Sequence, residues 1–318
     1  MTARRSRYEL SRAKQAALRL YGSYPNVVGI SAGTKFKNLA ATDNHAAIHF
    51  YVRQKTRPTR GKLLPRTVYG RFKNGKVNRK LRFATDVIEV GRVKTVCGAG
   101  SRISASIGLN RQNGTITFLF KNKAGPDKKY YAVSCAHVIG DINGPNGTPV
   151  TSDSECSQDA TFATTIFYST QKDEVVEYDI AVAEINPACL PLPDLEIAGT
   201  NTAIRSFMPK SRINPPLPVS CALPVSNAQR GVVSSEAGTV SVEYKKGTYE
   251  VQNAWMVKAN KRVKEGDSGG IVYAGDVAIG VVFASSDTDD GWAWFHPLVD
   301  AFAYLQKNVS SRLACFDS

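Results

Sequence analysis

The sequence is poor in histidine. Only His45, His49, His137 and His296 occur in 318 residues. Chemistry that needs an imidazole base near neutral pH must draw on one of these four. No unbroken apolar run of about 18 residues occurs, so no helical membrane span is expected. The six cysteines, Cys97, Cys135, Cys156, Cys189, Cys221 and Cys315, form no CxxC pair, which argues against a zinc cluster. The N-terminal stretch MTARRSRYELSRAKQ is basic. It lacks the apolar run and small-residue cleavage site of a secretory signal, so a cytoplasmic location is expected. The cysteines then read mostly as buried thiols. Acidic residues are scarce at one end only. Positions 1–100 hold 22 basic and 4 acidic residues, and the remainder holds 19 and 23. The net charge of +14 therefore belongs to the N-terminal third, and this asymmetry marks a boundary.

Apolar residues at 42% and charged residues at 21% leave room for a buried core. Residues 8–21 have helical composition, with Leu10, Ala13, Ala17 and Leu20 along one side. Pro25 and Asn26 stop that helix. NVVGISAGTKF, HAAIHFYVRQK and TDVIEVGRV read as strands around a very basic stretch at 54–82. Residues 1–95 thus form a small, basic α/β module. From residue 96 short strand-like runs alternate with Gly, Pro, Asn and Asp clusters. That texture predicts a mainly β chain of antiparallel barrels or a sandwich. PLVDAFAYLQKNV closes the chain as a helix.

One cluster of glycines stands out: EGDSGG, residues 265–270. A serine held among glycines is either a turn residue or a nucleophile presented for attack. A nucleophilic Ser268 needs a base. His137, in YAVSCAHVIGD, stands just after an apolar strand, where its side chain reaches a cleft. The base in turn needs an acid to fix its tautomer and stabilise the imidazolium. Asp179, in EYDIAVAEI, opens a strongly apolar strand, and a buried carboxylate wants a partner. The order is His, Asp, Ser. GDSGG also fits GxSxG, the nucleophile elbow of α/β-hydrolases. That fold places its acid and histidine after the serine, where only His296 remains, and the preceding chain shows no alternating helices and parallel strands.

SCAHV, YDIAV and GDSGG, in that order on a β-rich chain, resemble the chymotrypsin-like (trypsin-like) serine peptidases over residues 96–318. The resemblance implies two six-stranded antiparallel β-barrels with the active cleft between them. They divide into residues 96–190, carrying His137 and Asp179, and 191–318, carrying Ser268 and the closing helix. It makes His137 the general base, Asp179 its orienting acid and Ser268 the nucleophile, with the backbone N–H groups of Gly266 and Ser268 as the oxyanion hole. PNVVGISAG, AAIHFYVRQK and TDVIEVG are similar to the leader region of a group of mainly bacterial trypsin-like proteins. The chain departs from animal members at Val138, where they carry a cysteine. No IVGG precedes the barrels to supply a free amine to Asp267. Cleavage at VCGAG, residues 96–100, is one alternative; a backbone or basic side-chain partner for Asp267 is the favoured one.

Alignment through GDSGG sets Arg262 near the base of the primary pocket, with Val263 and Glu265 at its rim. Phe283, Ala284 and Ser285 form the opposing strand, whose backbone pairs with an extended substrate. Arg262 favours an acidic side chain. Asp287, Asp289 and Asp290 favour a basic one, which is the preferred reading. The expected function is a regulated intracellular serine endopeptidase that needs no metal or cofactor and acts on a protein or peptide substrate. The alternative is a catalytically idle module of the same fold, binding an acidic protein or nucleic acid through residues 1–95. No nucleic-acid motif supports the latter partner, so an acidic protein surface is preferred. His45 and His49 lie four apart on one strand face and read as surface residues. His296 reads as packed, and Trp292 and Trp294 as core.

Overall fold

A computed structural model describes residues 3–37, 40–55, 63–72, 74–95, 103–107, 110–122, 129–140, 147–152, 161–169, 174–189, 204, 206–309 and 313–314. The chain is mainly β, with two long helices among the described residues, Ala3–Tyr21 and Leu298–Asn308. In the first helix Leu10, Ala13 and Ala17 are buried, as their spacing predicts, while Leu20 stays exposed. The helix ends where the Gly22 N–H donates to the Leu18 carbonyl, three residues before Pro25. Its apolar face covers Ile30, Ala32, Ile48 and Phe50 from strands Val27–Lys37 and Ala40–Val52, which are antiparallel. Strand Val77–Glu89 lies parallel to Ala40–Val52, and Thr67–Arg71 pairs antiparallel with it at the outer edge. Among the described residues no helix is long and apolar enough to cross a membrane.

Among the described residues the strands form two sheets. The smaller has eight and runs from Ile103–Ile107 to Ala181–Ile185, with Leu313–Ala314 added at one edge. The larger has thirteen. The observed sheets do not divide as six plus six, and part of the difference has a specific reason. Strand Val27–Lys37 pairs antiparallel with the long strand Gln229–Tyr244, through Gly29 opposite Val240 and Gly33 opposite Ser235. The strands of the N-terminal third are thus hydrogen-bonded into the sheet that carries Ser268. Tyr51 ties this junction by contacting Ser31 Oγ at 2.5 Å and Ser235 Oγ at 2.8 Å. The segment is joined also by packing: Val28, Tyr51 and Ile88 share one core with Val240, Phe283, Trp294 and Val133.

Two sequence expectations are corrected here. His49 is fully buried, not on the surface, with Nε2 2.9 Å from the Thr34 carbonyl. It faces inward because it alternates with Ile48 on a strand covered on both sides. The His45 side chain lies outside the described residues. Cys135 and Cys221 are buried and in no disulfide, but Cys189 is disulfide-bonded, its partner outside the described residues. His296, Trp292 and Trp294 are all buried.

Two consequences can be measured. Removing residues 1–95 bares the edge of Gln229–Tyr244 that pairs with Val27–Lys37. The truncated chain should aggregate or lose cooperative unfolding, as seen by size-exclusion chromatography and thermal melting. The second concerns His49 and His296, whose pKa values burial lowers from 6.5 to about 4. The unfolded chain then binds more protons than the native one between those limits. Stability is fully present above about pH 6.5 and is lost as pH falls toward 4, by on the order of a few kcal/mol in total. Urea unfolding at pH 7 and pH 4.5 reads this, and His49→Gln should flatten the dependence.

Candidate active site

His137 follows strand Tyr130–Ser134 in the single turn Ala136–Ile139, every residue of which is buried. The strand belongs to the smaller sheet and aims the turn at the larger one. Asp179 stands two residues before strand Ala181–Ile185, which pairs with Tyr130–Ser134 through Ala181 opposite Ser134. That pairing sets the carboxylate under the imidazole. Ser268 comes from the other sheet, in the turn before strand Ile271–Ala274. Gly269 has φ +90°, and a Cβ there would lie 1.8 Å from the Thr115 carbonyl oxygen, so only glycine permits this approach of the two sheets. The Thr115 N–H donates to the Ser268 carbonyl at 2.8 Å, and the Gly269 N–H to Val282 at 2.9 Å. The serine is thus fixed from both sides.

The three side chains meet in one line. His137 Nδ1 is 2.5 Å from Asp179 Oδ2, and His137 Nε2 is 2.8 Å from Ser268 Oγ. With its proton on Nδ1, donated to the carboxylate, the ring leaves the Nε2 lone pair facing the serine hydroxyl. All three are buried: His137 is 4% exposed, and Asp179 and Ser268 are 0%. Burial alone would raise the Asp179 pKa. The charge and hydrogen bonds of His137 and the nearby His296 ring outweigh it, and the carboxyl stays below its ordinary value. Its Oδ1 accepts the His137 backbone N–H at 3.2 Å and its Oδ2 the Tyr244 hydroxyl at 2.9 Å. The Asp179 N–H donates to His296 Nε2 at 2.9 Å, and the His296 ring stacks on Phe283 at 4.3 Å. His296 must be neutral for that role, and burial holds it so, with a pKa of about 4.

The turn carrying Ser268 is held by Asp267. Its carboxylate accepts the N–H groups of Val225 at 2.9 Å, Ser226 at 3.1 Å and Lys264 at 2.9 Å, together with the Ser226 hydroxyl. Backbone donors therefore occupy the acid that a freed amine would otherwise meet. The amides of Gly266 and Ser268 have no partner among the described residues, and Gly266 sits at φ +97°. VCGAG, residues 96–100, lies outside the described residues.

The residues expected to line the pocket separate. Arg262 is half-exposed and reaches outward to Asp289 at 3.2 Å, so it is a surface ion pair and not the floor of a pocket. Its neighbour Val263 is buried and accepts the Ser285 hydroxyl at 3.2 Å, while Glu265 is exposed. Phe283, Ala284 and Ser285 are buried, and the Phe283 carbonyl oxygen lies 3.3 Å from Ser268 Oγ. Sequence reasoning missed Tyr244 and gave His296 no role at the carboxylate. Tyr244 carries no motif and is 65 residues from Asp179; only the hairpin of strands Gln229–Tyr244 and Gly247–Ala259 brings it there. No group of three or more metal-ligating side chains occurs among the described residues.

No family model matches the chain, and no curated protein matches it. Several solved structures are similar. Thermobifida fusca Protease A is 19% identical with a TM-score of 0.43, over 68% of this chain and 98% of that one. Cellulomonas bogoriensis chymotrypsin is 17% identical with a TM-score of 0.43, over 70% and 99%. The Nocardiopsis protease is 18% identical with a TM-score of 0.43, over 66% and 95%. At these values the reading of the site rests on its own geometry.

Proposed function

We propose that the chain is a serine endopeptidase working through Ser268, His137 and Asp179. One observation carries this reading: the unbroken, buried line from Asp179 through His137 to the Ser268 hydroxyl, drawn from both sheets. His137 Nε2 takes the hydroxyl proton as Ser268 Oγ attacks a peptide carbonyl. Asp179 stabilises the imidazolium and fixes its tautomer. The free amides of Gly266 and Ser268 receive the oxyanion, a contribution of roughly 2.7–4 kcal/mol for a single donor in such sites. Nε2 then returns the proton to the leaving amine. Water, deprotonated by the same nitrogen, hydrolyses the ester.

Tyr244 is a positioning residue in this scheme. Its hydroxyl supplies the second side-chain donor to the carboxylate, and its ring stands edge-on to His137 at 5.7 Å. Substrate meets residues 283–285 as an extended strand by taking the place of segment Val93–Thr95, which pairs there with Ala284–Ser286. With Arg262 turned outward, a preference for acidic residues loses its support, and the aspartates at 287, 289 and 290 favour a basic side chain. Residues 1–95, 96–190 and 191–318 are retained as functional divisions, the first as the candidate surface for an acidic protein partner. Cys189 in a disulfide fits an oxidising compartment better than the cytosol, which weighs against the cytoplasmic expectation. The idle-module reading draws on charge alone.

Ser268→Ala should lower kcat/KM on a peptide reporter by a factor of about 10⁶, with the unfolding midpoint unchanged. Cleavage at the wild-type rate by that variant would end the proposal. Tyr244→Phe should lower kcat about tenfold with KM unaltered, since it removes one hydrogen bond to a charged group. The carboxylate, less neutralised, then holds the imidazolium more tightly, so the acid limb of the pH–rate profile should move to higher pH. A purely structural tyrosine would leave that limb in place.

A further inference from the structure

Strand Thr67–Arg71 ends the larger sheet. It pairs with Val77–Glu89 on one side and, among the described residues, with no strand on the other. The Thr85 N–H donates to the Arg66 carbonyl at 3.2 Å, so 66 and 85 are a hydrogen-bonded pair. Such pairs alternate along antiparallel strands. Val68, opposite Phe83, therefore turns its N–H and C=O into the ladder, and Thr67 and Tyr69 turn theirs outward. No described residue bonds those outward groups. The strand is held by one face instead. Val68 and Phe83 share a core with Leu10, Ala13 and Ala17 of helix Ala3–Tyr21, and the Arg12 guanidinium donates to the Phe72 carbonyl. The free edge is thus fixed in place before anything meets it.

Its surroundings carry one sign of charge. From residue 63 to residue 85 the described chain holds Arg66, Arg71, Lys76, Arg79, Lys80 and Arg82 and no acidic residue. None of these forms an ion pair with a described residue. Arg82 lies opposite Tyr69, and the next pair sets Gly70 opposite Asn78. Residues 79–81 therefore fall between consecutive pairs, and Arg79 and Lys80 stand exposed on that bulge. Tyr69, Phe72 and Val77 are exposed apolar side chains among the charges. Charge on an edge strand guards it against pairing. Here the guard is selective: like charges repel a second copy of this edge, whereas an acidic strand meets attraction. A nucleic acid would answer the charge but not the row of outward backbone donors and acceptors, which another peptide backbone matches.

We propose that the edge of Thr67–Arg71 takes an extended acidic segment of another protein as an added strand. This rests on the reading of residues 1–95 as the surface for an acidic partner, and it names where and how that partner sits. The partner's main chain bonds the outward groups of Thr67 and Tyr69, along a strand five residues long. Every second side chain of the partner lies on the face of Tyr69 and Arg82, where a carboxylate meets the guanidinium. Five strands stand between this edge and Ile271–Ala274 in the sheet order, so the segment that docks is not the bond that is cut.

The test uses the full chain carrying Ser268→Ala, which keeps the probe whole, and the fluorescence anisotropy of a labelled eight-residue peptide of alternating glutamate and valine. That peptide should bind, and its lysine–valine counterpart should not. Methylating one alternate set of the peptide's amide nitrogens should weaken binding at least tenfold, and methylating the other set should leave it unchanged, because only one set faces the edge. Thr67→Pro removes an outward N–H without changing charge or the ladder to Val77–Glu89, and should weaken binding at least tenfold. Thr67→Val keeps that N–H and should bind as the parent does. Equal effects of the two methylated peptides, or full binding by Thr67→Pro, overturn strand addition. If binding then still falls in Arg79→Gln with Arg82→Gln, the acidic-partner reading stands without this edge. If neither the peptide nor polyglutamate binds, that reading itself fails. Tighter binding of an oligothymidylate that displaces the peptide makes the partner a nucleic acid and overturns the proposal.

Discussion

The buried carboxylate of Asp179 is the constraint around which the rest is arranged. A charge taken out of water must be met by donors or it will not stay charged. Here the donors come from three places: the His137 ring and backbone on the smaller sheet, and the Tyr244 hydroxyl on the larger one. Meeting that demand forces the two sheets together at one point. The same closeness explains why Gly269 has no room for a side chain against Thr115. Removing the imidazole from such a pair leaves a stranded charge, a loss of about 3–5 kcal/mol in comparable buried pairs. Orientation of the imidazole and cohesion of the sheets are therefore one interaction seen twice.

Much of this was legible in the sequence because it is written locally. GDSGG, SCAHV and YDIAV each announce a strand end with a polar side chain, and the structure brings His137, Asp179 and Ser268 within hydrogen-bond distance. The mainly β texture and the closing helix were visible from turn residues and spacing. The rest depends on pairings that no short window contains. Tyr244 reaches Asp179 because a hairpin carries it there. His49 looked like a surface residue because its strand neighbours do not reveal that helix Ala3–Tyr21 covers one face and strand Gln229–Tyr244 borders the same sheet. Arg262 was set in a pocket by counting from GDSGG, yet counting does not say which way a long side chain turns, and Asp289 draws it outward.

The N-terminal third illustrates the same limit. Its charge marks it off along the chain, while its backbone joins it to the sheet bearing the serine. Composition separates what hydrogen bonding unites, since electrostatic asymmetry reports the outer face and strand pairing the inner one. The short segment Val93–Thr95, unremarkable as sequence, takes its meaning from the edge on which it lies.

Strand Gln229–Tyr244 meets Val27–Lys37 between Ser235 and Val240 and ends at the tyrosine that touches the Asp179 carboxylate. It is a lever with one arm in each half of the molecule. Anything that alters the twist of the outer strands pulls on the residue that orients the imidazole.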